Sequence, residues 1–199
     1  MEPSEGRTSW KKAAVVAVPA LAAVAAMAVG MAEGVLASSF AVSGSAFQVS
    51  SGALSSKGLA SYVHVDRSAD GAGHPVALLG LGEATLSDIC QSAQVATPLG
   101  TVVFKLTAGG TAGEVRASNL VLDSEDLTGD ASFGRVQIGR DASTLDTVPG
   151  VRGEAGQFGL QASEVSVSGV RSHARSATGG DFKLKGLALD VQLNGKACF

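Results

Sequence analysis

Three histidines, at positions 64, 74 and 173, are the side chains of this sequence best suited to general acid–base chemistry. A serine hydrolase would pair one of them with a nucleophile, commonly exposed on a Gly-x-Ser-x-Gly turn between a strand and a helix. That pentapeptide does not occur in the sequence. His64 lies in a predicted strand and His74 in a predicted turn. We therefore expect a protein that is not an enzyme and assign no catalytic residue.

A second group of chemically able residues is the alternating set Arg171, His173 and Arg175. Side chains two residues apart lie on one face of a β-strand. If this segment is a strand, the three side chains form a face that could bind an anionic group. The alternative interpretation is a solvated strand face without a ligand.

Acidic residues gather between Asp123 and Asp126, with Asp130 a few residues further on. Clustered carboxylates superficially resemble a calcium loop, but the order of ligands that defines an EF-hand is missing. The sequence also lacks a P-loop, and Gly80 and Gly82 are not followed by the third glycine of a dinucleotide-binding turn. We expect neither a metal nor a cofactor.

Cys90 and Cys198 are the two cysteines of the chain. An even number of cysteines in an exported protein favours a disulfide bond, because that compartment is oxidising. A bond between them would close almost the whole of the following domain into one loop. The alternative is two free thiols; paired zinc-ligand spacing is absent.

The compartment is predicted from residues 13–32, which carry no charge and as a helix would span ~30 Å of hydrocarbon. Lys11 and Lys12 precede this stretch and Glu33 follows it, an asymmetry that favours a cytoplasmic N-terminus. We predict a cytoplasmic tail at residues 1–12, a transmembrane or signal segment at residues 13–37, and an extracytoplasmic domain at residues 38–199. Cleavage after Ala37 would release a secreted domain, and otherwise the domain stays on the outer face of the cell membrane.

The fold is predicted from apolar alternation and glycine. The pattern apolar, any, apolar, two spacers, apolar recurs, as at Val165, Val167 and Val170, and again at Phe182 and Leu184. A two-residue step containing glycine lets a strand bend while one face stays apolar. The 26 glycines also weaken any helical interpretation. We predict an all-β domain, a curved and mainly antiparallel sheet resembling a β-roll or barrel, preceded by one N-terminal helix.

Charge excludes one class of partner. The chain has 15 Lys and Arg against 18 Asp and Glu, a formal net charge of −3, without long runs of either sign. Nucleic acid is therefore not expected to be a partner.

Several short motifs are spread along the chain. They are Trp10-Lys11-Lys12, Gly34-Val35-Leu36-Ala37-Ser38-Ser39-Phe40, Phe47-Gln48-Val49-Ser50, Asp88-Ile89-Cys90-Gln91-Ser92, Ala117-Ser118-Asn119-Leu120 and Cys198. Taken together, these motifs resemble a family of uncharacterised actinobacterial membrane-anchored proteins. The resemblance implies a possible partner, a small multi-pass membrane protein commonly encoded beside such proteins. Relatives often carry the label cholesterol esterase, which the missing nucleophile turn does not support.

The leading hypothesis is a non-enzymatic, envelope-associated β-domain that binds a membrane-protein partner or an apolar or lipid ligand. One alternative is a steryl esterase of unfamiliar architecture, with a serine activated by His64 or His173. A purely structural surface component that self-assembles is the third hypothesis.

Overall fold

The computed structural model describes residues 44–199. The predicted cytoplasmic tail, the transmembrane or signal segment and cleavage after Ala37 lie outside the described residues and stay predictions. Within the described part, no helix is long and apolar enough to cross a membrane.

The described residues form an all-β domain of nine strands, which confirms the predicted fold class. The only helical elements in this part of the chain are two three-residue 3₁₀ turns, Gly110–Ala112 and Ala142–Thr144. The strands are β1 (Phe47–Arg67), β2 (Gly73–Ser87), β3 (Ile89–Thr97), β4 (Gly100–Ala108), β5 (Val115–Ser124), β6 (Thr128–Gly134), β7 (Gln137–Asp141), β8 (Phe158–Lys183) and β9 (Ala188–Leu193).

All the strand pairings are antiparallel, and the sheet order is β6-β8-β5-β2-β1-β3-β4-β9, with β7 also on β8. Strand β8 leaves β1 near Ala174 and continues along β5. The pairings of β1, β2, β5 and β8 therefore close on themselves. Because β3, β4 and β9 extend away from this circuit, the sheet is not a clean barrel.

The main core fills the inside of this curved circuit. Val165 and Val167 alternate inward, and Gly169, at φ 63°, inserts the extra step that turns Val170 inward as well. The bend predicted from the two-residue step is thus present in β8. Other members of the core are Leu59, Leu81, Ala84, Leu86, Ile89, Ala108, Val115, Ala117, Leu120 and Ala162.

The second copy of the pattern behaves differently. Phe182 is 44% exposed and Leu187 is 52% exposed, so neither belongs to the core that the pattern predicts for them. Strand β8 ends at Lys183, and the chain then turns at Gly186 with φ 64°. Leu184, the middle member of this copy, is partly buried and packs against the main core. The second copy therefore contributes only one of its side chains to the core.

A second, smaller core lies under residues 142–157, here named the covering loop. Its side chains Leu145, Val148 and Val151 are almost fully buried against Ala60 and its neighbours. Gly80 allows this packing, because a Cβ there would lie 2.5 Å from a methyl group of Val151. The loop is also tied to the sheet by hydrogen bonds, including Thr147 Oγ1 to Leu59 O at 2.7 Å and Asp146 N to Gln161 Oε1 at 2.9 Å.

The predicted disulfide bond is present between Cys90 in β3 and Cys198 after β9, a sequence separation of 108 residues. The backbone N–H of Cys198 donates to Ser92 Oγ at 3.0 Å. The C-terminus is therefore held against β3 by one covalent bond and one hydrogen bond.

Candidate functional site

An apolar surface lies on β4 and β9, at the end of the sheet formed by β3, β4 and β9. Directly opposed residues of antiparallel strands share a face. Phe104 opposes Val191, and Leu106 opposes Leu189, so aliphatic and aromatic side chains continue across both strands. Leu189, Val191 and Leu193 are 54–58% exposed. We name this surface, comprising Val102, Phe104, Leu106, Leu189, Val191 and Leu193, the apolar face.

Strand β9 is also the edge of the sheet. It pairs with β4 on one side, and no other described strand pairs with it. An edge strand presents free backbone N–H and C=O groups to which another chain can bind. The opposite face of the same strand is polar, because Asp190 and Gln192 alternate with the aliphatic residues.

Arg171, His173 and Arg175 lie on β8 and share one face, as the spacing predicts, because Ser172, Ala174 and Ser176 between them are buried. The acidic stretch after β5 lies against this face. Arg175 pairs with Glu125, with Nη2 2.5 Å from Oε1, and the Asp126 Oδ2 is 2.8 Å from Nδ1 of His173.

The two polar stretches singled out in the sequence are thus bound to each other. His173 also donates its backbone N–H to Asp126 at 2.8 Å, and hydrogen bonds from the backbone and ring of His173 lower the pKa of Asp126. The Arg171 guanidinium lies 5.7 Å from the ring centroid of Phe199. Arg175 and His173 therefore each already face a carboxylate of the protein, which weakens the case for an external anion on this face.

The end of β1 has an unexpected orientation. Val63 and Val65 are 56% and 55% exposed, while the side chains of His64 and Asp66 are only 28% and 11% exposed. Burying an imidazole and a carboxylate while exposing two valines is unfavourable on its own. Such local violations of the hydrophobic pattern concentrate at functional sites.

His64, Asp66 and Asp123 form a compact polar cluster at this place. His64 Nε2 lies 3.2 Å from Asp123 Oδ1 and 3.5 Å from Asp66 Oδ1. One nitrogen or oxygen atom from each of the three residues lies within 4.8 Å of the others. Asp123 also accepts a short hydrogen bond from the hydroxyl of Ser176.

The electrostatics of the cluster follow from burial and from its two carboxylates. The hydrogen bond with Asp123 raises the pKa of His64, although burial acts in the opposite direction. Burial and the charge of Asp123 raise the pKa of Asp66. Burial likewise raises the pKa of Tyr62, whose ring centroid lies 5.8 Å from that of His64.

The third histidine lies at the start of β2, opposite Asp66 of β1, and not in the turn predicted for it. His74 Nε2 is 3.2 Å from Ser68 Oγ, and the same hydroxyl donates to Asp70 Oδ1 at 2.5 Å. In a hydrolase triad the carboxylate orients the histidine. Here the carboxylate of Asp70 binds the serine and the backbone N–H of Ala72, which is the pattern of a turn.

A groove of about 400 Å³ lies between β1, β2, β6 and β8. Leu54, Leu86 and Val167 contribute apolar surface to it, but Glu114 and Asp130 also line it. A lipid chain in this groove would contact two carboxylates. Its remaining lining residues are Ala53, Ser55, Thr85, Ser87, Ser132, Ser166 and Ser168.

Sequence reasoning named His64 and Asp123 but not Asp66, and it did not bring the first two together. His64 was considered only as a general base, and Asp123 only as part of the acidic stretch. The signal that could have found the cluster is the inverted alternation of Tyr62, His64 and Asp66 with two valines. The partner strand of Asp123 could not be known without the sheet order.

The fold and site define the class of this protein: an all-β, disulfide-bonded domain with a curved antiparallel sheet. Residues 43–199 match the model of DUF6230, a family of unknown function. The chain belongs to this family. No curated protein and no solved structure matched the chain.

Proposed function

We propose that this protein is a non-enzymatic, envelope-associated binding domain that docks its apolar face on an apolar segment of a small multi-pass membrane protein. The observation that carries the proposal is the row of exposed aliphatic side chains on β9, more than half exposed at Leu189, Val191 and Leu193. A contiguous apolar patch on a protein surface is typical of an interaction site.

The edge position of β9 supports the same occupant. A partner strand that pairs with this edge would gain backbone hydrogen bonds and contact the aliphatic side chains at the same time. The polar alternate residues, Asp190 and Gln192, would stay on the other side. One strand therefore offers an apolar side and a polar side with a defined orientation.

The length of the linker between the predicted membrane segment and β1 also suits a membrane-protein partner. Residues 38–46 join the predicted transmembrane segment to β1, and fully extended they would span at most about 30 Å. An anchored domain would therefore stay close to the bilayer surface, where the soluble parts of a membrane protein lie. The resemblance named above supports a multi-pass membrane protein as the partner.

A lipid ligand has less support from the geometry. The groove beside Leu54 is lined in part by the carboxylates of Glu114 and Asp130. The apolar face is formed by two paired strands, β4 and β9, and not by a groove. The steryl esterase alternative would use His64 or His173. His64 Nε2 lies 3.2 Å from Asp123 and His173 Nδ1 lies 2.8 Å from Asp126, so each of these ring nitrogens faces a carboxylate and not a serine hydroxyl.

The test is site-specific photocrosslinking of the full chain, co-expressed with the small multi-pass membrane protein whose gene we expect beside its own. A benzophenone amino acid replaces Val191 on the apolar face or, as a matched control on the same strand, Gln192 on the polar face. We expect a crosslink to the multi-pass protein from position 191 and at least about tenfold less from position 192.

Equal crosslinking from both positions, or none from position 191, would overturn the proposal. A crosslink from position 191 only to lipid, or only to a second copy of this chain, would also overturn it, because it would assign the apolar face to another occupant. Turnover of steryl esters by the purified full chain, lost in His173→Ala, would establish the enzymatic alternative instead.

A further inference from the structure

The polar cluster has the donor spacing of a metal site. Ligands of a zinc ion at about 2.1 Å lie roughly 3.0–3.4 Å apart when the angle between bonds is 90° to 110°. His64 Nε2 is 3.2 Å from Asp123 Oδ1 and 3.5 Å from Asp66 Oδ1. The first separation lies inside this range and the second lies just above it, and one ligand atom of each residue lies within 4.8 Å of the other two. This spacing suits the ligands of a single ion.

An independent observation is the Oδ2 atom of Asp66. This atom is buried and has no hydrogen-bond partner, and the Asp66 side chain is only 11% exposed. A buried carboxylate oxygen without a partner is strongly unfavourable. Among the described residues it is the one buried side-chain oxygen or nitrogen left unsatisfied.

The charge balance of the cluster points the same way. Asp66 and Asp123 bring two carboxylates together, and the imidazole of His64, which can supply at most one positive charge, is the basic group that pairs with them. His74 and Arg175 act on Asp66 without forming an ion pair with it. A divalent cation would balance both carboxylates and leave the imidazole neutral, which is the form that binds metals.

The surroundings already orient the ligands. The hydroxyl of Ser176 donates to Asp123 Oδ2, which leaves Oδ1 of the same carboxylate facing His64. Such hydrogen bonds to a ligating carboxylate are a common part of metal sites. The exposed valines on the other face of β1 show that the strand is turned so that its polar side chains point inward.

We propose that His64, Asp66 and Asp123 bind one divalent transition-metal ion, with Zn²⁺ as the best fit. One imidazole nitrogen and two carboxylate oxygens suit zinc, whereas calcium and magnesium prefer sites made of oxygen alone. Three protein ligands would leave a fourth position for water or for another ligand. This inference does not depend on the docking function proposed above.

The test is isothermal titration of the full chain, purified in detergent without a histidine tag and stripped with EDTA, using ZnCl₂ as the probe. We expect one zinc ion per chain and a rise in the thermal midpoint with added zinc. Because loss of an outer-shell partner alone typically costs 10–100-fold in metal affinity, His64→Gln and Asp66→Asn should each cost at least about 100-fold. Ser176→Ala should cost about tenfold.

Two controls keep the result interpretable. His173→Gln changes a histidine whose ring lies 2.8 Å from a different carboxylate, that of Asp126, and it should leave zinc affinity within about twofold. Asp66→Asn removes the buried unpartnered charge, so the metal-free variant should fold with an unchanged or higher thermal midpoint. Absence of zinc binding, zinc binding unaffected by His64→Gln and Asp66→Asn, or binding of calcium but not zinc would each overturn the proposal.

Discussion

Two regions of the sheet differ in how they treat aliphatic side chains. Leu145 and Val148 of the covering loop are almost fully buried over the strands β1 and β2. In the other region, formed by β3, β4 and β9, Leu189 and Val191 are more than half exposed. The difference shows that aliphatic content alone does not define a core, because burial requires a second layer. Among the described residues, the covering loop supplies such a layer over β1 and β2, and the apolar face of β4 and β9 has none.

The two regions are also stabilised by different interactions. The covering loop is retained by burial and by hydrogen bonds such as Thr147 to Leu59. The chain that follows β9 is retained by the Cys90–Cys198 bond. We therefore expect different substitutions to destabilise the two regions.

The largest effect is expected from removing the disulfide bond. In the chain-entropy model, the double variant Cys90→Ser, Cys198→Ser loses about 4.7 kcal/mol of unfolding free energy, since the bond closes a loop of about 100 residues. Urea unfolding of the full chain in detergent, followed by circular dichroism, measures this loss. Hydrogen exchange should accelerate more in β4 and β9 than in the covering loop. Equal acceleration of hydrogen exchange in β4 and β9 and in the covering loop would contradict the comparison.

The second prediction contrasts two leucines. Leu145→Ala should lower the unfolding free energy by about 2–5 kcal/mol, because Leu145 is 0% exposed and its loss leaves a cavity. Leu189→Ala in β9 is the matched control. It should change the unfolding free energy by less than about 0.5 kcal/mol, since Leu189 is 58% exposed. Similar losses from the two substitutions would mean that the apolar face is covered within the monomer.

The third prediction concerns the contact beneath the covering loop. Gly80→Ala places a methyl group 2.5 Å from Val151 Cγ2, so the loop must shift, at a cost of about 1–3 kcal/mol. Gly44→Ala is the control, because a Cβ there has nothing within 4 Å. Thermal unfolding of both variants tests the contact. A neutral Gly80→Ala would show that the loop is not packed closely on β2.

The fourth prediction concerns acid. The Asp141 carboxylate accepts hydrogen bonds from the side chain and backbone of Ser143 and from Gly156 N, and these lower its pKa. Its contribution is therefore complete above the ordinary pKa of 3.8 and is lost as pH falls through the lower folded value. The thermal midpoint of the wild type should fall between pH 5 and pH 2 more steeply than that of Asp141→Asn. Equal slopes for the wild type and Asp141→Asn would contradict the prediction.

The smallest effect on stability is expected on the apolar face. Val191→Asp should change the unfolding free energy by no more than about 0.5 kcal/mol, because Val191 is 57% exposed. The same substitution should abolish crosslinking of a probe at Leu189 to the multi-pass membrane protein. Gln192→Asp, on the polar side of β9, should preserve that crosslink. Large destabilisation by Val191→Asp would assign the face a structural role within the domain.

Much of the fold could be predicted because its signals are local. The bend at Gly169, the final strand ending before Asn194, and the turn between Arg67 and Gly73 all follow from glycine and from alternation. The disulfide bond followed from the cysteine count and the predicted compartment. These features need no knowledge of distant parts of the chain.

The sheet order and the covering loop could not be predicted in this way. The glycine-rich residues between Asp141 and Phe158 suggested turns, and the burial of Leu145 depends on β1 and β2 lying beneath it. The polar cluster could not be predicted for the same reason, because Asp123 lies about 60 residues from His64 in the sequence and on another strand. Alternation states which residues share a face but not which strands are neighbours.

Strand β8 sets the order in which this molecule can assemble. It extends over 26 residues near the end of the chain and pairs with β1, β5, β6 and β7. Until residue 183 is available, those earlier strands keep unpaired edges that can join with other chains. Contacts of such long sequence separation also form slowly. A ribosome-bound or truncated chain that stops before Phe158 should therefore aggregate rather than fold.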